Sequence, residues 1–250
     1  MLNKIFSIVF VVTICVSTGA TAQERSGDYL YRVETVRAAP GKFEALLNWV
    51  EELRASGFYD EAGGQFPFLM RHSQGDQWDL MVIYPMESWA KYHSRSTTRK
   101  RKKAKDNHDA LWARVVGLVA FKEDHFAYGP PLAEMVREYG ENAFYHIEMF
   151  EAAPGKEAEL FKQREMENDY LARTGQVTNM IFRRAAGSNV DVFTIGFHES
   201  LQTFAAPSGA TAEEAEAAAV AAGFKDRADI SFFLRALISG HHDTLAVKVK

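Results

Sequence analysis

From Tyr29 onward the hydrophobic and polar positions change period in a fixed order. "YLYRVETV" alternates apolar and polar residues and is rich in aromatic and β-branched side chains, which predicts a strand. After "PGK" at 40–42 the apolar positions Phe43, Leu46, Leu47, Val50 and Leu53 recur at helical spacing. "FPFLMRH" and "WDLMVIY" then enclose the turn-prone "SQGDQ", so they read as a β-hairpin. A second helical region places Leu111, Trp112, Val115, Val116 and Val119 on its buried face, and "KEDHFAY" closes the series as a fourth strand.

The series is then repeated. "AAPGK" occurs at 38–42 and again at 152–156, and Tyr31, Glu34 and Leu46 recur as Tyr145, Glu148 and Leu160. Further along, Arg71, Gly75 and Asp79 match Arg183, Gly187 and Asp191. The order β-α-β-β-α-β is that of a ferredoxin-like unit, whose antiparallel sheet carries both helices on one face and leaves the other to be buried. A second copy in the same chain can supply that cover. The expected fold is therefore α+β: tandem ferredoxin-like (βαββαβ) repeats forming an intramolecular dimeric-type α+β barrel, with helices outside. The repeats span 27–128 and 143–250, and "GPPLAEMVREYGEN" at 129–142 connects them through a short helix.

"YRVETVRAAPGKFEALLNWV", "YHIEMFEAAPGKEAELF" and "MESWAKYHSRS" resemble the first strand and helix, and the strand-to-helix passage, of dimeric α+β barrel proteins. That group holds NIPSNAP-like and antibiotic-biosynthesis-monooxygenase-like domains. The resemblance implies the fold over most of both halves. It brings a range of activities with it, among them cofactor-free oxygenases, isomerases and haem-binding proteins, and no motif selects one.

Charge and the chain ends narrow the range. Residues 1–22 combine one lysine, an apolar run from Ile5 to Val16 and the small pair Ala20 and Ala22, the pattern of a secretory signal peptide. Its removal would take away the single cysteine, Cys15, leaving a periplasmic or secreted protein without disulfide or thiolate chemistry. No stable membrane insertion is expected after cleavage. The net charge of −4 and this address argue against nucleic acid as partner for the basic run "RKRKKAK" at 99–105. The equivalent segment of the second copy is acidic and alanine-rich, with Thr211 and Glu214 spaced as a capping box. Opposed charge in these segments could steer the halves together, or two molecules into a homo-oligomer.

Candidate chemistry follows from strand alternation. One face of the first strand of each copy carries Tyr31 and Val33, or Tyr145 and Ile147; the other carries Arg32 and Glu34, or His146 and Glu148. A helix-covered face should be the more apolar, so the charged set is expected to point into the barrel, with Arg71 and Arg183 as further polar groups. Two readings stay open: structural Glu–Arg bridges inherited by each copy, or a cavity in which Glu148 and His146 act as acid and base while Arg32, Glu34, Arg71 and Arg183 hold a ligand. Asp79 and Asp191 read as turn or edge residues. No histidine falls in a recognised metal spacing, and His241 and His242, being adjacent, face opposite sides of a strand. No cofactor is required on this reading, with haem on His125 or His146 the alternative. The functional expectation is an exported protein that binds a small, partly apolar molecule between two stacked sheets. The alternatives are a cofactor-independent monooxygenase or isomerase, then a haem-binding protein.

Overall fold

The alternation of "YLYRVETV" is realised as a strand that buries both of its faces, one inside a barrel and one beneath helices. The computed structural model describes residues 27–249, so the expected signal peptide lies outside the described residues. The strands are β1 (Tyr29–Ala38), β2 (Phe68–Gln74), β3 (Leu80–Glu87), β4 (Val119–Gly129), β5 (Phe144–Ala152), β6 (Asn179–Ala186), β7 (Val192–His198) and β8 (Ile238–Lys248). The helices are α1 (Phe43–Ala55), α2 (Phe58–Ala62), α3 (Trp89–Tyr92), α4 (Arg95–Asn107), α5 (Asp109–Val115), α6 (Leu132–Glu141), α7 (Glu157–Arg173), α8 (Leu201–Phe204), α9 (Ala212–Ala221) and α10 (Asp229–Leu237). None of them is long and apolar enough to cross a membrane.

All eight strands close into one antiparallel barrel in the order β1-β3-β2-β8-β5-β7-β6-β4. The first four strands run β4-β1-β3-β2 and the last four β8-β5-β7-β6, so the two halves repeat one internal order. They meet edge to edge at two seams, β2 with β8 and β4 with β6. Closure removes every sheet edge. It also corrects the picture of two sheets held only by their faces, because backbone hydrogen bonds run continuously around the ring.

An eight-stranded barrel has an interior just wide enough for side chains to fill. Tyr31, Val33, Met70, Met81, Tyr145 and Phe182 belong to one fully buried cluster inside it, each with no measurable exposure. At one end the connector helix α6 inserts Met135, and the Tyr139 hydroxyl donates to the Leu69 carbonyl at 2.9 Å. The interior is thus a packed core. The expectation that Arg32, Glu34, His146 and Glu148 point inward is overturned: they occupy the outer face of β1 and β5, between sheet and helices. The physical reason is access to water. A closed barrel offers its interior none, whereas long polar side chains on the outer face can reach solvent through the gaps between covering helices.

Equivalent residues also brace the strand ends. Asp79 accepts from the Ala38 amide at 2.7 Å, and Asp191 accepts from the Ala152 amide at 2.8 Å. Both aspartates lie next to a hairpin strand and tie it to the last residue of β1 or β5, in keeping with their reading as edge residues. The capping box forms as expected, with Thr211 accepting from the Glu214 amide and Glu214 from the Thr211 amide. The basic and acidic segments do not meet. Helix α4 packs on α2 and α9 on α7, and among the described residues no ion pair joins α4 to α9.

Candidate functional site

The outer face of the first half leaves a cavity of about 930 Å³ between β1, β3 and the helices α1, α2, α4 and α5. Its roof comes from the stripe of α1: Leu46, Trp49, Val50 and Leu53 all face the sheet. Trp49 is held by its indole N–H, which donates to the Leu111 carbonyl at 2.7 Å, and by an edge contact with Trp112. Val36, Leu80 and Val82 form the apolar part of the floor.

The polar part of the floor is built around Glu34, which is 6% exposed. Its two oxygens are engaged from several sides: Lys122 donates to Oε1 at 2.9 Å, Tyr84 donates to Oε2 at 3.1 Å, and Arg32 forms an ion pair with Oε1. The Arg32 guanidinium lies 5.0 Å from the centre of the Tyr84 ring, and Lys122 also reaches Asp124 at 3.1 Å. Burial raises the Tyr84 phenol well above its ordinary range. Burial also pushes Tyr59 up to about 12, with Tyr84 and the charges of Arg32 and Arg54 pulling the other way. Both phenols are therefore neutral hydrogen-bonding groups at neutral pH.

The rim is cationic. Lys91, Arg101 and Lys105 line it, and Arg101 is fixed by donating to the Tyr92 carbonyl at 2.7 Å while stacking 4.0 Å over the Tyr92 ring. Two of these three come from α4, so the basic run contributes to the cavity mouth. Among the described residues Glu34 and Glu87 are the only acidic ones in the lining.

In the second half the same places are filled differently. Val36 and Val50 correspond through the repeat to Phe150 and Arg164, and Leu53 corresponds to Glu167. Arg164 is 2% exposed, with its guanidinium 4.7 Å from the centre of the Phe150 ring. It donates to Gln163 at 2.7 Å, pairs with Glu167 and lies 3.5 Å from Glu148 Oε2. Burial disfavours the charged form of Glu148, but His241, Arg164 and His146 outweigh it and hold the carboxyl below its ordinary range. Burial raises Glu167. For His146 the effect of burial is overcome by the hydrogen bond to Asp243 and the charge of Glu148, so its pKa is raised.

The residues singled out in the sequence thus separate into three places. Arg32 and Glu34 line the cavity; His146 and Glu148 belong to the polar cluster of the second half; Arg71 and Arg183 are exposed on the outer face and line neither. Arg183 rests over the Phe161 ring at 5.6 Å. Glu34 is paired with Arg32 and Lys122, and Glu148 with Arg164 on α7, so each half has its own Glu–Arg bridge. His125 sits inside the barrel, 4% exposed and edge-on to Phe193 at 5.8 Å. Sequence reasoning missed Tyr59, Tyr84, Lys122 and Trp49. Lys122 was within reach, since it opens "KEDHFAY", which reads as the fourth strand of the first copy.

No protein-family model matches the sequence, and no curated protein resembles it at a significant level. Solved structures do share the fold. A candidate monooxygenase from Fusobacterium nucleatum superposes with a TM-score of 0.53 at 9% identity, covering 90% of this chain and 94% of the other. An anthrone oxidase-like protein gives 0.50 at 14% identity, covering 89% and 92%. A chlorite dismutase variant from Candidatus Nitrospira defluvii gives 0.48 at 13% identity, covering 89% and 91%. At these identities the first two likenesses speak for a shared fold over about nine tenths of the chain.

Proposed function

We propose that the chain is an exported binding protein made of two tandem ferredoxin-like repeats, and that the cavity of the first half takes a small apolar molecule bearing an acidic group. The observation that carries this reading is the distribution of charge around the cavity. Its roof and part of its floor are aromatic and aliphatic, while Arg32, Lys91, Arg101, Lys105 and Lys122 outnumber Glu34 and Glu87 in the lining. Apolar walls with a few convergent polar groups are what small-molecule sites present. Export rests on the residue pattern of 1–22.

A cofactor-independent monooxygenase or isomerase is the second reading, favoured by the fold shared with the anthrone oxidase-like protein. It needs a base. Glu34 is the buried carboxylate of the cavity, but its two oxygens are already engaged by Lys122, Tyr84 and Arg32, so neither is presented freely to a substrate. Haem does not fit this donor set. Among the described residues no histidine or cysteine lines the cavity, Tyr59 and Tyr84 are held as neutral phenols, and Met86 is the one soft donor in the lining.

Native mass spectrometry of the untagged protein, with titration of 1-anilinonaphthalene-8-sulfonate as an apolar anionic probe, tests the proposal. Saturable binding of the probe that weakens in the Arg101→Glu and Lys105→Glu variants supports it. Binding indifferent to those charges, or no binding, overturns it. Oxygen consumption with an electron-rich phenol would move the assignment to the second reading, and a Soret band to haem.

A further inference from the structure

Four outer-face positions correspond through the repeat: Arg32, Glu34, Lys122 and Asp124 in the first half, and His146, Glu148, His241 and Asp243 in the second. The register is the same in both. Glu34 stands opposite Asp124 across β1 and β4, and Glu148 stands opposite Asp243 across β5 and β8. Each half therefore places two carboxylates side by side on neighbouring strands, where like charges repel unless something neutralises them. In the first half two permanent cations do so, Lys122 lying 2.9 Å from Glu34 and 3.1 Å from Asp124, with Arg32 on Glu34. In the second half both permanent cations are replaced by histidine, the commonest metal ligand.

We infer that His146, Glu148, His241 and Asp243 form a binding site for a divalent transition-metal ion of the zinc class, which supplies to this carboxylate pair the charge that Arg32 and Lys122 supply to the other. This site is separate from the cavity of the first half and does not rest on the reading given to it.

The geometry suits such an ion. The ligand atoms of His146, Glu148 and Asp243 all lie within 4.8 Å of one another. His146 Nε2 is 3.1 Å from Asp243 Oδ1, and His241 Nε2 is 3.7 Å from an oxygen of Glu148 and from one of Asp243. A tetrahedral zinc ion with bonds of about 2.1 Å separates its ligand atoms by about 3.4 Å. A donor set that mixes histidine nitrogen with carboxylate oxygen favours zinc-like ions over magnesium or calcium, which prefer oxygen alone.

The surroundings hold the donors in place, as outer partners do in metal sites. Thr194 donates to Glu148 Oε2 at 3.1 Å and Arg164 lies 3.5 Å from the same oxygen, which leaves Oε1 directed toward His241. Phe150 stacks on the His241 ring with centroids 4.7 Å apart. Among the described residues Arg164 is the one permanent cation at the cluster, and Glu167 opposes its charge. Asp243 is half exposed and gives an ion a path from solvent. The cluster escapes a search of linear spacing because each pair is only two residues apart, His146 with Glu148 and His241 with Asp243. Strand pairing brings the pairs together.

Zinc titration of the untagged full chain by calorimetry, after dialysis against a chelator, tests this. The decisive variant is His146→Arg with His241→Lys, which installs the arrangement that the first half already folds with; circular dichroism checks that it is folded. One zinc ion per chain is expected for the parent protein, with affinity falling roughly a hundredfold or more in the double variant and in Asp243→Ala. Magnesium should not compete. Absence of zinc binding, or equal binding by parent and variants, overturns the inference.

Discussion

Arg164 stands on α7 at the place that Val50 occupies on α1, and this pair of residues decides what each half can hold. The guanidinium spans from Gln163 and Glu167 to Glu148, bridging helix and sheet. The valine stops short and leaves open the cavity of about 930 Å³.

Enlarging the valine should therefore close the cavity. Val50→Phe adds an aromatic ring over Val36 and is expected to weaken 1-anilinonaphthalene-8-sulfonate binding by roughly tenfold or more, while unfolding in urea shifts by no more than about 1–2 kcal/mol because the ring enters existing space. Val220→Phe on exposed α9 is the control, since it should leave both measurements unchanged.

Glu34 is the anchor of the cavity floor. Glu34→Gln keeps the shape but removes the charge that Arg32, Lys122 and the Tyr84 hydroxyl gather around. Breaking a largely buried ion pair from one side leaves cations without compensation, so a loss of about 2–4 kcal/mol in urea unfolding is expected. The same variant should bind an anionic probe more tightly, because Arg32 and Lys122 are freed. A fall in both stability and probe affinity would show that Glu34 only shapes the cavity.

The barrel closes at two seams, and each is crossed by a glycine at equivalent positions. A Cβ on Gly75 would lie 2.1 Å from the Asp243 carbonyl oxygen, and one on Gly187 would lie 3.1 Å from that of Asp124. Both glycines also have positive φ, of 122° and 73°. Gly75→Ala is therefore expected to cost about 2–4 kcal/mol and Gly187→Ala about 1–2 kcal/mol in denaturant unfolding. Hydrogen exchange should localise the first loss to the seam of β2 with β8.

Much of this architecture is legible in the residues. The repeated "AAPGK" and the matching Asp79 and Asp191 mark strand ends that the structure braces identically, and the change from period two to helical spacing marks α1, with α7 following from the repeat. The closed barrel itself depends on edge pairing between halves, which leaves only Gly75 and Gly187 as traces in the sequence. Alternation shows that Tyr31 and Arg32 face opposite sides of β1 without showing which side is drier, and the drier side is the barrel interior that holds Tyr31. The cavity was hidden for another reason: it arises from what is small at Val36 and Val50, and a void becomes visible only beside Phe150 and Arg164.

His125 gives the pH dependence. It lies inside the barrel against Phe193 with its Nε2 buried and without a partner, and burial lowers its pKa to about 4. In the unfolded chain the imidazole titrates near its ordinary value of about 6.5. Between these values the unfolded chain binds a proton that the folded protein refuses, so stability is complete above about pH 6.5 and falls as pH drops toward 4. The group's contribution to that fall is about 3 kcal/mol across the window. His125→Leu removes the titrating group and the unpartnered nitrogen together. Urea unfolding at pH 7 and pH 4.5 should show the variant losing less stability on acidification than the parent. An unchanged difference between the two pH values would mean that the imidazole already meets water or a proton inside the fold.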